Sequence, residues 1–195
     1  MTTYRNYNFA STKVTAMAVD IWDLNRVWIA FAQDDDGYCW VKKVSANDLF
    51  QTFYAFRLSV DEVTDIHQLD EDYIYFAVDD ATALFFVTDP QFPTPPDPTE
   101  VAIPAGITEA PIAIKDDGTY IYLLFPGNLS GTNAKICKYN NTSLITTIQL
   151  TTVTNAVGMT IDGTDIWVVT GNSPSELVRV YDSGGYTYTT TQLVV

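Results

Sequence analysis

Four aromatic residues, each preceded by an acidic turn, recur along the chain at nearly constant spacing. They are Trp28 in DLNRVWIAFA, Tyr75 in DEDYIYFAVD, Tyr122 in DDGTYIYLLF and Trp167 in DGTDIWVVTG, separated by 47, 47 and 45 residues. An aspartate stands five or six positions before each one: Asp23, Asp70, Asp116 and Asp162. A fixed period of this length marks a repeat architecture, in which one supersecondary unit is stacked on copies of itself. The clearest copy, IDGTDIWVVTGNSPSELVRVYD at Ile161–Asp182, reads as strand, tight turn, strand, loop, strand. Its runs of β-branched and aromatic residues, bounded by Gly, Asn, Asp, Ser and Pro, are the strand signal.

Written out in full, the units run about 14–56, 63–103, 110–150 and 156–195, after an N-terminal arm at 1–13. The first holds strands near Val14–Trp22, Val27–Ala32, Tyr38–Val44 and Phe50–Phe56. The second holds Val63–Leu69, Tyr73–Val78, Ala83–Thr88 and Glu100–Ile103. The third ends with Lys135–Tyr139 and Leu144–Leu150, and the last closes on Tyr186–Leu193. Four antiparallel strands per unit predict an all-β chain of four four-stranded blades, a β-propeller domain spanning 14–195. One blade leaves both faces of its sheet bare, so stacking on neighbours stabilises it. Closure has three forms: a compact four-bladed ring, half of an eight-bladed ring made by two copies, or an arc held in a larger assembly. The segment Thr2–Phe9 reads as a spare strand that completes a blade or pairs with an edge on another chain.

The repeat resembles a known family. DGTDIWVVTG…ELVRVYD and DGTYIYLLF…AKICKYNNTSLITTIQL are similar to YVTN-type β-propeller repeats, most clearly in the third and fourth units. The resemblance implies a propeller fold and carries no activity, since that motif is a structural one. The second unit departs from it, lacking the first-turn glycine and running into a proline-rich detour. That detour, PQFPTPPDPTE at Pro90–Glu100, holds five of the nine prolines. It reads as a stiff excursion that blunts a sheet edge rather than as a ligand for a proline-recognition module.

Charge and composition exclude several function classes. The formal net charge is −14, with ten Lys and Arg against 24 Asp and Glu. Nucleic-acid and anionic-membrane partners need a positive footprint that this balance does not offer. No apolar run reaches membrane-spanning length, and MTTYRNYNFASTK has no apolar core of a secretory signal. An assembled particle or virion, otherwise the cytoplasm, is the expected location. Cys39 and Cys137 fall in strands of non-adjacent units and read as two buried free thiols. The sequons at Asn128, Asn140 and Asn141 carry no weight without export.

Chemistry is sparse. His67 is the only histidine, so a nucleophile–His triad has one candidate base and no nucleophile turn; a core or channel-lining role is the reading taken. One His and two scattered Cys do not make a zinc site, and no phosphate loop occurs. Asp34-Asp35-Asp36-Gly37 is a weak candidate for Ca²⁺, and Asp79-Asp80 occupies the corresponding loop of the second unit. Neither follows the alternating calcium-loop pattern, and both read as turn-forming acids. A ring of Asp23, Asp70, Asp116 and Asp162 is drawn from the repeat, each acid supporting its own hairpin. Tyr4, Tyr7, Phe9, Tyr38, Asp79, Asp80, Asn128 and Asn172 are the interaction candidates, on the arm and on the loops Gln33–Tyr38, Asp79–Thr82, Pro126–Asn133 and Gly171–Ser175. The expected function is therefore non-catalytic: a structural or interaction module of a phage or virus virion, binding other subunits or itself, with no cofactor. A glycan-binding propeller is the alternative, and a propeller lyase or glycosidase using loop carboxylates is the third.

Overall fold

The computed structural model describes residues 13–21, 23–49, 51–70, 73–79, 83–88 and 98–193. They form an all-β chain of four antiparallel sheets, each of four strands in sequence order. The first sheet is β1 (Val14–Val19), β2 (Arg26–Phe31), β3 (Cys39–Ser45) and β4 (Thr52–Leu58). The second is β5 (Val63–Gln68), β6 (Tyr73–Val78), β7 (Ala83–Thr88) and β8 (Thr99–Ala102). The third is β9 (Ala113–Asp116), β10 (Ile121–Phe125), β11 (Lys135–Asn140) and β12 (Ser143–Gln149). The fourth is β13 (Ala156–Asp162), β14 (Asp165–Thr170), β15 (Glu176–Asp182) and β16 (Tyr186–Gln192). Among the described residues no helix is long and apolar enough to cross a membrane.

The sheets match the four units, with differences at strand ends. β1 stops at Val19 rather than Trp22: the Asp20 amide makes the last bond across to Arg26 O, and the chain then turns, with the Asp20 carboxylate accepting from the Asp23 amide. β4 is displaced two residues from Phe50–Phe56, behind an Asp48–Gln51 turn and a register shift at Lys43/Val44. The arm with its Thr2–Phe9 strand lies outside the described residues, as does the proline detour apart from Pro98 and the residues that enter β8.

Neighbouring sheets meet through their first strands: β1 lies beside β5, β5 beside β9, and β9 beside β13. Three large apolar clusters fill the spaces between successive sheets. Trp28, Val41 and Phe56 of the first sheet pack on Ile66, Ile74 and Phe76 of the second. Tyr75 and Ala77 of the second pack with Ile114, Leu123 and Tyr139 of the third. Tyr122, Leu124 and Ile136 of the third pack with Met159, Ile166 and Val178 of the fourth. Each inner sheet is thus apolar on both faces, which is why β6 is buried from Ile74 to Val78 and β10 throughout. β14 differs, alternating buried and partly buried along its whole length, as expected for a sheet covered on one side.

Both cysteines are free and buried, as their positions led one to expect. Burial pushes the Cys39 thiol up to about 11 and raises Cys137 as well. The thiolate is the reactive form, so native protein should resist a disulfide-exchange reagent at neutral pH and react fully once unfolded in urea. Prompt labelling of either thiol in the folded state would contradict this packing.

Candidate functional site

The four anchors occupy one register position. Trp28 pairs with Ala18, Tyr75 with His67, Tyr122 with Lys115 and Trp167 with Thr160. Because side chains alternate along a strand, equal register puts equal positions on one face. Each of the first three rings therefore points into the cluster shared with the following sheet, and is 0, 0 and 4% exposed. Trp167 points the same way, away from the third sheet, and stays partly exposed.

A cation recurs across from the anchor on the third strand. Lys43 lies opposite Trp28, Lys138 opposite Tyr122 and Arg179 opposite Trp167. Their charges stand 5.0, 5.4 and 5.7 Å from those rings, within cation–π range. A carboxylate accompanies each one. Lys43 Nζ meets Asp20 Oδ2 at 2.7 Å with both side chains buried, and Arg179 meets Asp165 Oδ2 at 2.6 Å. In the third sheet Tyr122 donates to Asp117 Oδ2 at 2.7 Å, while Lys138 sits 4.0 Å over Tyr120 and donates to Tyr186 of the fourth sheet at 2.9 Å. Burial, and then the bond to Asp117, pushes the Tyr122 phenol far up. Burial also raises the Asp117 carboxyl, but bonds from Tyr122 and from the amides of Tyr120 and Thr119 outweigh it and hold it below the usual range. The second sheet has Phe86 at the cation's position.

The first strands are also stitched side to side. Lys115 Nζ and Ile114 N both donate to Asp65 Oδ2, at 3.1 and 2.9 Å. His67 Nε2 pairs with Asp116 Oδ2, and Ile21 N donates to Gln68 Oε1 at 3.3 Å. His67 is thus a partly buried tie between the second and third sheets. The repeated aspartates serve their own hairpins, though not identically. Asp23 and Asp70 support their turns, bonding Asn25 N and Tyr73 N. Asp116 also holds its own turn, Oδ1 accepting from Gly118 N at 2.6 Å, while Oδ2 crosses to His67, and Asp117 accepts from the turn amides of Thr119 and Tyr120.

The loop candidates are engaged locally. Asp34 accepts from the amides of Asp36 and Tyr38 and from the Trp40 indole, all at 3.0 Å. The Tyr38 amide leads in holding its carboxyl below the usual range. Asp35 and Asp36 are exposed, and among the described residues no group of three metal-ligating side chains gathers there or elsewhere. Tyr38 is exposed with the Arg57 guanidinium 5.0 Å from its ring. Asp79 is exposed, its amide bonding Glu62 O at 2.7 Å. Asn128 organises its own loop, accepting from Ser130 N and Thr132 N. Asn172 is partly buried and donates to Thr154 O at 3.2 Å. Tyr4, Tyr7, Phe9 and Asp80 lie outside the described residues. Among the described residues, these hydrogen bonds of Tyr38, Asp79, Asn128 and Asn172 go to other residues and not to one another. What sequence reasoning missed was the face around Trp167 and the cations 15, 16 and 12 residues after three of the anchors.

The buried phenols give a pH signature. Burial pushes Tyr75 up to about 12 and raises Tyr139 and Tyr122 further. Above about pH 10 the unfolded chain loses phenolic protons that the native state keeps, so stability falls as pH rises. Urea midpoints should drop between about pH 8 and about pH 11, and phenolate absorbance should lag until unfolding. Full tyrosine ionisation before loss of the β spectrum would refute the burial of these rings.

No family model matches the chain, and none of the curated proteins does. Among solved structures the chain is similar to one described as the crystal structure of the eukaryotic initiation factor, at 11% identity and a TM-score of 0.40. That match covers 96% of this chain and 56% of the other, so the chain spans little more than half of that protein's length.

Proposed function

We propose that this chain is a non-catalytic structural and interaction module, its four sheets set radially as blades of a β-propeller of YVTN-like repeats. The observation that carries this reading is the contrast between Trp167 and its three buried counterparts. The stack is built to bury an anchor at every step, and at the fourth step the covering sheet is absent from the described residues. A second sheet-bearing surface fits there, supplied by another subunit of an assembly. The side chains that chemistry would use are spent within the fold: Asp34 on its loop, Asp116 on His67, and Asp117 on Tyr122.

A virion or comparable particle is the assembly proposed. Density-gradient fractionation of the source, probed with an antibody to this chain, tests it. The chain should sediment with assembled particles and withstand a high-salt wash. Recovery only among free proteins, together with a hydrolase or lyase activity abolished by Asp34→Ala, would overturn the reading.

A further inference from the structure

We propose that β16 is the strand through which two copies of this chain join, its open edge pairing antiparallel with the same strand of a second copy across a two-fold axis. This goes beyond the reading above, since it concerns the edge of a strand and not the face around Trp167.

A strand at the rim of a sheet turns every second amide and carbonyl away from the ladder, and folded chains blunt such rims against pairing with other chains. Each sheet here ends on its fourth strand. Three of those four are blunted. β4 carries the exposed Arg57, and Phe53 is an extra residue where Lys43 pairs with Tyr54 and Val44 with Thr52. β8 is only four residues long, follows Pro98 and carries the exposed Glu100. In β12 the extra residue is Ile145, between Leu144 opposite Tyr139 and Thr146 opposite Lys138. Bulges of this kind bend and twist a strand away from a flat partner. β16 has none of these devices. It pairs with β15 from Tyr186–Asp182 to Gln192–Glu176 without a shift of register, and it contains no charged residue and no proline.

The strand is also held in place for pairing. Tyr186 accepts from Lys138 Nζ at 2.9 Å, and the Tyr188 hydroxyl accepts from Thr152 N at 3.2 Å and lies 3.0 Å from Thr151 Oγ1. These bonds fasten β16 to the third sheet and to the turn after β12. The Leu193 amide donates to Ser175 O at 2.8 Å. Amides alternate in direction along an antiparallel strand, so those of Thr187, Thr189 and Thr191 also turn toward β15, and those of Tyr188 and Thr190 turn toward the open edge. Thr187 and Thr189–Gln192 are exposed, and among the described residues no further strand pairs with β16.

Charge and the strand's own sequence name the occupant. With a net charge of −14, most approaches of one copy to another set carboxylates against carboxylates. Residues 183–193 carry no charge at all, so two copies meet there without that opposition. An uncharged edge also offers nothing particular to a basic segment, whose complement lies on the acidic surface elsewhere. Antiparallel pairing centred on Thr189, the midpoint of β16, sets Thr187 opposite Thr191, Tyr188 opposite Thr190 and Thr189 opposite its own copy. Threonine pairs and aromatic–β-branched pairs of this kind stabilise adjoining strands. The two-fold axis then merges the fourth sheets of both copies into one continuous sheet.

Light scattering over a concentration series should show the mass of the full chain rising to twice that of one copy. Thr189→Lys and Thr189→Glu each set like charges against one another at the axis, so each variant alone should stay monomeric with its β spectrum retained. Mixed in equal amounts, the two set opposite charges there and should recover the dimeric mass. Amide hydrogen exchange reads the same edge without substitution, should a variant misfold. The Tyr188 and Thr190 amides should exchange fast in dilute chain and slowly in concentrated chain, while the Thr189 amide stays slow in both. A wild-type chain that is monomeric throughout, a dimer indifferent to both variants, a mixture that stays monomeric, or a mass above two copies would each overturn the proposal. So would slow exchange of the Tyr188 and Thr190 amides in the dilute monomer, since a segment of the same chain would then occupy the edge.

Discussion

Asp20→Asn is expected to remove about 3–5 kcal/mol of stability, the usual cost of leaving one member of a buried ion pair without its partner. Asp20 and Lys43 are 1 and 6% exposed, and their 2.7 Å contact is made in a region walled by Trp28. With the carboxylate gone, the Lys43 ammonium keeps its place beside the indole but loses the negative charge of Asp20 at 2.7 Å. Lys43→Met should cost a similar amount by taking the ammonium away from the buried Asp20 carboxylate. Installing both changes should cost clearly less than the sum, because the pair's desolvation disappears along with its attraction. Urea unfolding followed by tryptophan fluorescence gives all three values. A loss under about 1 kcal/mol in either single variant would place the pair among solvent-screened surface bridges, where such small values are the rule.

Gly127→Ala is the second large effect. The residue has φ +64°, and a Cβ there would stand 2.7 Å from Ala134 N and from Asn133 C. These are backbone atoms, held by the Ala134 N to Val153 O bond at 2.7 Å and the Asn128 N to Thr132 O bond at 2.9 Å. Nothing nearby can rotate aside, so the loop must open or the turn must move. Strain of this kind, added to the left-handed backbone, should cost about 3 kcal/mol. Gly163 is the control: its φ is +61°, yet a Cβ there meets nothing within 4 Å. Gly163→Ala should cost only about 1–2 kcal/mol, the left-handed penalty alone. Equal losses at the two positions would show that the overlap at Gly127 relaxes freely.

Period and polarity made most of the architecture legible. An aromatic every 45–47 residues after an acidic turn is a local signal, and it located the second strand of every sheet. Strand ends were less legible, because they depend on which residue opens each hairpin turn, Asp20 before β2 and Asp48–Gln51 before β4, and several polar residues stand at each place. Lys43 and Asp20 look like surface residues in sequence, and only the stacked fold shows that they are buried together. The ties between sheets join residues about 47–50 apart, such as Asp65 with Lys115 and His67 with Asp116, and a single sequence gives no cue to pair them. The anchor's orientation was hidden as well, since alternation assigns residues to two faces without saying which face has a neighbour.

That shared orientation gives the molecule a sense of direction. Each of the first three rings is shielded by residues that come later in the chain, so during ribosomal synthesis each of those units must wait for its successor to emerge. Tyr122 is covered by Met159, Ile166 and Val178, and all three are still inside the ribosome when residue 155 leaves the exit tunnel. A nascent chain stalled there should display Tyr122 as the full-length protein displays Trp167. Growth from the amino end thus moves a single sticky ring forward one unit at a time, until Trp167 holds that place in the fourth.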